Sequence, residues 1–199
     1  MNISQTSIYH LVDSRDCGGI ESHILELSSW LVSNKVKTEV VFLKNYGSHP
    51  LKEQLDQAGV TWSIKGSWSN LMTRIKANNG LLATHGYKAG IFGRLIARLN
   101  KVPVVSTYHS GDLGKGKLYF YSKLDDLTAG IADQVFCVSK EIQLRLPVAS
   151  NLIANFTQLA NPPQKLGSKI AFVGRLSQEK GPDSFDHIAS EALLRVNTK

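Results

Sequence analysis

The sequence predicts an α/β fold, a Rossmann-like parallel sheet with helices on both faces. Short β-branched and apolar runs alternate along the chain with longer segments of helical period, which is the pattern of βα units. In addition, 42% of the 199 residues are hydrophobic, which is enough to build a substantial core.

Seven segments are predicted to be strands: 7–13, 38–44, 60–65, 81–85, 102–109, 134–139 and 151–155. The segments between them are predicted to be helical. In the first, the apolar residues recur at spacings of four, three and four, so one buried face is expected. This face holds Ile20, Ile24, Leu27 and Leu31.

The helix predicted over residues 87–101 has a similar period. Its expected buried face holds Ile91, Leu95 and Leu99. Its expected solvent face holds Lys88, Arg94, Arg98 and Lys101. Such charged residues are usually a solvated surface.

The chain is predicted to contain one whole domain and the start of a second. Residues 1–155 form the first domain, and 156–168 have no periodicity and contain two prolines, as in a linker. Residues 169–199 supply one strand, over 169–174, and one helix, from about Pro182. An independent sheet generally needs three or more strands, so this second domain is expected to be incomplete.

The formal net charge is +7 and the sequence pI is about 9.4, so an anionic partner is expected: nucleic acid, an anionic lipid surface or a phosphorylated small molecule. Scattered basic residues and the lack of a nucleic-acid-binding motif argue against nucleic acid.

No apolar stretch is long enough to span a bilayer, and residues 1–10 do not resemble a secretion signal. Cys17 and Cys137 match no metal spacing or disulfide framework. A cytoplasmic location is therefore expected.

Gly18 and Gly19 follow the first predicted strand and open a helix. Glycines at this position let the backbone approach a phosphate, and the free N–H groups of the helix can bind it. The G-x-G-x-x-G spacing of dinucleotide-binding proteins is absent, and a simple tight turn is the alternative.

His109 lies at the carboxyl end of an apolar strand and is followed by the polar turn Ser110–Asp112. Ligands of open α/β sheets bind outside the carboxyl ends of strands, so His109 is a candidate site residue. His85, at the end of another predicted strand, competes with it. A structural role is the alternative for either histidine.

The segment "FVGRLSQEKG" (172–181) combines a strand, a turn at Gly174, and two cations, Arg175 and Lys180. Arginine and lysine can converge on a diphosphate, the first through its planar guanidinium and the second as a point charge. A solvated basic turn is the alternative.

Residues 114–123 place lysines among aromatic residues, a composition that suits a membrane–water interface. The aromatic side chains could instead pack inward.

The motifs of zinc proteases, serine hydrolases and P-loop enzymes are absent from the sequence, as is a D-x-D metal motif.

Five segments, in this order, resemble the successive signatures of glycosyltransferase family 4, also called group 1 glycosyltransferases. They are "CGGIESHILELSSWL", "ATHGYKAGIFGRLIARLNKVPVVSTYHSGD", "ADQVFCVSKEI", "LIANFT" and "FVGRLSQEKG". The resemblance implies the N-terminal half of a GT-B fold, which has two Rossmann-like domains facing each other across a cleft. It also implies metal-independent transfer from a nucleotide-sugar, UDP- or GDP-linked, with retention of configuration and without a cofactor.

By this resemblance, His109 contacts the transferred sugar, and Gly18 and Gly19 approach the donor phosphates. Arg175 and Lys180 stabilise the departing diphosphate. The acceptor would be a saccharide or a lipid-linked saccharide, in envelope polysaccharide synthesis. Peripheral contact with the inner face of the plasma membrane is a further expectation.

The family's E-x(7)-E stretch is expected beyond the segment that this sequence covers, so little transfer is expected from the 199-residue chain alone. Two alternatives remain open. The chain could be a non-catalytic remnant or binding module of such an enzyme, or it could belong to a GT-B-like sugar-nucleotide epimerase.

Overall fold

The computed structural model describes residues 6–111, 113–153, 171–173 and 181–197. The chain divides into two compact units, Met1–Gln158 and Leu159–Lys199. The linker predicted over residues 156–168 lies outside the described residues, so the predicted domain boundaries remain a prediction.

The first unit is built on one parallel sheet of seven strands in the order β3-β2-β1-β4-β5-β6-β7. The strands are β1 (Ile8–Val12), β2 (Thr38–Phe42), β3 (Thr61–Ile64), β4 (Leu81–His85), β5 (Val104–Tyr108), β6 (Gln134–Cys137) and β7 (Asn151–Leu152). Each lies within a segment predicted to be a strand. The α/β fold class is therefore confirmed.

Six helices accompany this sheet: α1 (Gly19–Ser33), α2 (Pro50–Gln57), α3 (Trp68–Ala77), α4 (Tyr87–Leu99), α5 (Lys117–Leu127) and α6 (Lys140–Arg145). The residues of β1 alternate between the two faces of the sheet. Val12 packs with Ile24 of α1 and Leu51 of α2 on one face. Leu11 packs with Leu71 of α3 and Ala97 of α4 on the other. Helices thus cover both faces, as predicted.

Helix α1 follows its predicted pattern, with Ile24 and Leu31 buried. Helix α4 does not. Leu95 is 40% exposed and Leu99 is 82% exposed, so the predicted apolar face is wrong beyond Ile91. The buried face of α4 instead consists of Ala89, Gly90, Ile91, Gly93, Arg94 and Ala97.

Arg94 was predicted to face solvent, but only 1% of it is exposed. Its guanidinium donates to Asp125 Oδ1 at 2.6 Å and to Thr128 Oγ1 at 2.6 Å, and it also donates to Ser106 Oγ at 3.2 Å. These partners offset the cost of the buried charge, although Arg94 Nε has no hydrogen-bond partner among the described residues. They lie in β5 and at the end of α5, so the local spacing in α4 could not reveal them.

The second unit contains α7 (Pro182–Asn197), which confirms the helix predicted from about Pro182. The rings of Phe172 and Phe185 lie 5.5 Å apart within this unit. Residues 171–173 of the strand predicted over 169–174 are not in a strand, and the rest of that segment lies outside the described residues.

Gly93 allows α4 to pack closely on the sheet, and Gly93→Ala tests this contact. An added Cβ would lie 2.7 Å from Thr84 Cγ2 and 3.0 Å from Leu11 Cδ2. We expect the overpacking to outweigh the roughly 1 kcal/mol that alanine gains in a helix, and to lower the free energy of unfolding by about 1–2 kcal/mol. Urea denaturation measures the change.

Gly111→Ala is the matched control, because a Cβ at Gly111 meets nothing within 4 Å in the part of the chain that the structure describes, and its φ is not in the left-handed region. It should leave the free energy of unfolding nearly unchanged. A Gly93→Ala protein more stable than the wild type would contradict the close approach of α4 to the sheet.

Candidate functional site

The candidate site lies at the carboxyl ends of β1, β4 and β5. The chain runs from β1 outward to β3 and then crosses back to β4, so β1 and β4 are neighbours where the strand order reverses. Ligands of open α/β sheets bind in the crevice at such a switch point. A pocket of about 190 Å³ opens here, and Ile20, Gly86, Tyr87, His109 and Arg145 are among its lining residues.

A larger cavity, of about 510 Å³, lies at the opposite edge of the sheet, where Ile8, Leu81 and Pro103 help to line it. Its lining is mainly apolar, and its charged residues are Lys76 and Lys101. We assign the site to the carboxyl edge because buried histidines and carboxylates converge there.

Three histidines form a hydrogen-bonded row on the α1 face of the sheet. His10 Nδ1 lies 3.1 Å from His85 Nε2, and His85 Nδ1 lies 3.1 Å from His109 Nε2. His10 is 1% exposed and His85 is 2% exposed, whereas His109 is only partly buried and lines the pocket. His85 and His109, which compete in the sequence analysis, are therefore direct partners.

The strand register explains this row. His10 lies two residues before Val12, which pairs with His85, and His85 pairs with Thr107, two residues before His109. Residues two apart in a strand point to the same face. The three side chains therefore rise diagonally across β1, β4 and the end of β5 toward the carboxyl edge.

Helix α1 adds a fourth histidine. The His23 ring lies 4.7 Å from the His109 ring, edge to face, and 5.8 Å from the His85 ring, measured between centroids. His23 is one helical turn after Gly19, on the inner side of α1. Sequence reasoning did not select His10 or His23, because neither lies at the end of a predicted strand.

Burial lowers the pKa of all four rings. Desolvation is the largest cause in each case, and it lowers the pKa of His10 to about 4 and that of His109 to about 3. Desolvation likewise lowers the pKa of His85 well below its usual value and also lowers that of His23. The four rings are neutral at pH 7, so they place no positive charge beside the pocket that His109 lines.

His23, His85 and His109 could also bind a metal ion. One ring nitrogen from each lies within 4.8 Å of the others, and neutral imidazole is the ligand form that zinc takes. Nitrogens around tetrahedral zinc lie about 3.3 Å apart, so the cluster would have to contract. Metal independence of the site remains a prediction.

Gly18 and Gly19 stand at the start of α1, as predicted. Gly18 is the N-cap residue and has no side chain to cap the first N–H groups of α1, and a Cβ added at Gly19 meets nothing within 4 Å among the described residues. Two carboxylates lie nearby. Asp16 Oδ1 accepts a hydrogen bond from the Cys17 N–H, and Glu21 Oε2 is 3.3 Å from the Cβ position of Gly18. An anion bound here would need cations from elsewhere.

Arg145, which also lines the pocket, makes contacts that could not be predicted from the sequence. Arg145 donates to the carbonyl oxygens of Ser110 and Gly111 at 3.1 and 2.8 Å, and it lies 3.4 Å from Asp126 Oδ1. Burial raises the pKa of Asp125 to about 6, although Arg94 opposes this shift. Arg145 thus holds the loop after His109. It is more than thirty residues away in the sequence, so no local signal could reveal it.

Arg175 and Lys180 lie outside the described residues, as do Gly174 and Asp112. The structure therefore brings His109 and the loop of Gly18 and Gly19 to one edge of the first unit. The roles predicted for all these residues remain predictions.

A family model, Glycosyltransferase Family 4, matches residues 17–146, which include the glycine loop, the pocket, His85, His109 and strands β2 to β6. The chain belongs to glycosyltransferase family 4. The match confirms the resemblance seen in the sequence motifs. A comparison with curated proteins found no match.

Solved glycosyltransferase structures share the fold of this family 4 chain. Anabaena HepE in complex with UDP aligns with a TM-score of 0.58 at 17% identity, over 75% of this chain and 44% of its own. MurG of Acinetobacter baumannii aligns at 0.52 and 13% identity, over 75% and 45%. Phytolacca americana UGT2, complexed with UDP-2fluoro-glucose and pterostilbene, aligns at 0.50 and 10% identity, over 70% and 49%.

These likenesses confirm the Rossmann-like fold predicted for the N-terminal half of a GT-B protein. The chain spans less than half the length of each of these structures. Among its described residues, no helix is long and apolar enough to cross a membrane.

The buried histidines predict that the family 4 chain loses stability in mild acid. The pKa of His10 is about 4 in the folded state and about 6.5 when unfolded, so the unfolded state binds the proton first as the pH falls. Between pH 7.5 and 5, His10 alone should lower the free energy of unfolding by about 2 kcal/mol. The raised pKa of Asp125 acts in the opposite direction below about pH 6, but the lowered pKa values of His85 and His109 reinforce the loss.

Urea denaturation at pH 7.5 and pH 5 measures this loss, and His10→Leu should reduce it by about 2 kcal/mol. His187→Gln is the control, because His187 is exposed in α7. Equal stability of the wild type at both pH values would contradict the burial of neutral histidines.

Proposed function

We propose that the chain is the acceptor-side part of a retaining glycosyltransferase. The enzyme would transfer a sugar from a UDP- or GDP-linked donor to a saccharide or lipid-linked acceptor in envelope polysaccharide synthesis. The main support is the pocket at the switch point, which His109 lines within the segment that matches family 4. The crystal structures of Anabaena HepE with UDP and with UDP-glucose favour a nucleotide-sugar as donor.

Each predicted site residue has a role in this proposal. His109 donates or accepts a hydrogen bond at the transferred sugar, since its ring is neutral at pH 7. The loop of Gly18 and Gly19 allows close approach of the donor phosphates. Arg175 and Lys180 stabilise the diphosphate as negative charge grows on it.

The electrostatics of the first unit support a need for such cations. Asp16 and Glu21 flank the glycine loop, and the histidine row is neutral. Lys88 is bound to Asp13 at 2.7 Å, and Arg145 is bound to Asp126. Protein cations from outside this group, rather than a metal or a cofactor, would then neutralise the diphosphate.

Transfer from radiolabelled UDP- and GDP-sugars to membrane extract tests the proposal, in a form of the protein that contains both domains of a GT-B fold. His109→Ala and Arg175→Ala should each lower turnover at least about 100-fold, because each removes a group that contacts the reacting sugar or phosphate. The wild-type rate should persist in EDTA.

His187→Ala is the matched control and should keep the wild-type rate, since His187 is exposed on α7. Near-normal rates for both site variants would overturn the site assignment. An epimerised free nucleotide-sugar formed without acceptor would favour an epimerase, and acceptor binding without turnover would favour a binding module.

We also propose that the start of α5 contacts an anionic membrane at the cytoplasmic side. Four consecutive apolar or aromatic residues are exposed there: Leu118 by 42%, Tyr119 by 47%, Phe120 by 65% and Tyr121 by 36%. Lys115 and Lys117 are exposed beside them. Leu118 lines the pocket and Tyr121 stacks on Tyr87, whereas the exposure of Tyr119 and Phe120 favours contact with a membrane interface over inward packing. Aromatic rings and lysines together suit the headgroup region of a bilayer.

Sedimentation with phosphatidylglycerol-containing vesicles tests this contact. Phe120→Ser should weaken binding about tenfold through lost apolar burial, and Lys115→Glu should weaken it about fivefold or more, with a smaller effect at high salt. Leu144→Ser is the control, because Leu144 is 88% exposed on α6, away from this segment in sequence. Equal binding of all three variants and the wild type would contradict the proposal.

A further inference from the structure

The three histidines of the hydrogen-bonded row, His10, His85 and His109, must share their protons in a defined order. Both contacts between them are 3.1 Å long, and each needs one N–H donor and one lone pair. A neutral imidazole has one of each. The proton position on one ring therefore determines the position on the other two.

Only two arrangements satisfy both hydrogen bonds. In the first, every ring carries its proton on Nδ1, and donation runs from His10 through His85 to His109. In the second, every ring carries its proton on Nε2, and donation runs from His109 back to His10. The arrangements contain the same number of hydrogen bonds, so the two ends of the row decide between them.

The inner end of the row favours the first arrangement. His10 Nε2 is buried and has no hydrogen-bond partner among the described residues. The first arrangement leaves only a lone pair at this nitrogen, whereas the second leaves an N–H group there. Buried N–H groups without a partner are rarer in proteins than buried acceptors without one.

We propose that His85 is a positioning residue that holds His109 in the tautomer with its proton on Nδ1, and that the buried end of the row at His10 sets this order. In this tautomer, His109 Nε2 accepts from His85 Nδ1, and the polar hydrogen of His109 is on Nδ1. Because Nε2 is engaged by His85, the group that His109 offers to a ligand in the pocket it lines is then the Nδ1–H donor. In the opposite order, it would be an acceptor and a candidate general base.

The consequence for the ligand is an oxygen acceptor at His109, such as a sugar hydroxyl or a phosphate oxygen. This catalytic meaning rests on the proposed transferase function, whereas the tautomer itself does not. Burial also lowers the pKa of all three rings, which keeps them neutral and preserves the proton order at pH 7.

Long-range ¹H–¹⁵N correlation NMR of the histidine rings tests the order in the ¹⁵N-labelled 199-residue chain at pH 7.5, with EDTA present to remove metal ions. The ¹⁵N shift separates a protonated from an unprotonated ring nitrogen. We expect the proton on Nδ1 in His10, His85 and His109. A proton on His109 Nε2, or a mixture of both tautomers, would overturn the proposal.

Two leucine variants separate positioning from general destabilisation. His85→Leu removes the partner of His109 Nε2, so the Nδ1 tautomer should become a mixture with the Nε2 form. His10→Leu leaves His85 in place but removes the partner of His85 Nε2. His85 Nε2 then becomes the buried nitrogen without a partner and should again carry only a lone pair, so His109 should keep its proton on Nδ1. Retention of the Nδ1 tautomer in His85→Leu would overturn the positioning role.

If His85→Leu does not fold, the wild-type and His10→Leu spectra still decide the order, with His187→Gln as the assignment control. In an active form of the enzyme, His85→Leu should lower kcat/KM about tenfold or more, and His10→Leu much less. An inactive protein with the Nδ1 tautomer would count against the transferase function alone. An active enzyme with the Nε2 tautomer would count against the proton order alone.

Discussion

The parallel register between β1, β4 and β5 is the constraint on which the candidate site depends. Val12 pairs with His85, and His85 pairs with Thr107, so the same-face positions of neighbouring strands form a diagonal row. A shift of one residue in either pairing would turn a histidine to the opposite face. The apolar clusters on the two faces oppose such a shift, because it would also expose the buried side chains of β1.

Because side chains alternate along each strand, the histidines and the Arg94 ion pair lie on opposite faces of the sheet. On the α1 face, the histidines are neutral because burial disfavours their charged form. On the α4 face, Arg94 remains beside Asp125, with Ser106 and Thr128 as further partners. Tyr108 connects the second system to the pocket, since its hydroxyl donates to the Asp125 carbonyl at 2.8 Å. The charged group stabilises α4 and α5 against the sheet, and both groups reach the pocket, the neutral one through His109 and the charged one through Asp125.

The sequence was sufficient for the sheet because strand signals are local. All seven strands were predicted, as the β-branched runs and the turns between them lie within a few residues of each other. The buried face of helix α4 could not be predicted in the same way. Its leucines have helical period, but small residues and Arg94 form the buried face, since close packing and a distant carboxylate outweigh hydrophobicity there.

The site was predictable only in part for the same reason. His85 and His109 were selected because each follows an apolar strand, but their partnership depends on strand order and register. His10 lies inside a strand and His23 inside a helix, where a histidine has no distinctive local signal. Combining the predicted strands with a parallel register would have placed His10, His85 and His109 on one diagonal.

The distribution of charge around the site bears on which groups could bind a saccharide and which could bind a diphosphate. The chain has 23 Lys and Arg residues against 16 Asp and Glu residues, yet Lys88 and Arg145 are engaged in ion pairs, and Arg15, near the glycine loop, lies over the Tyr46 ring. Neutral rings can recognise sugar hydroxyls through hydrogen bonds without attracting phosphate, whose binding requires positive charge. In the proposed function, the first unit would orient an uncharged saccharide, and the binding of a diphosphate would depend on cations outside the histidine row and its ion-paired neighbours.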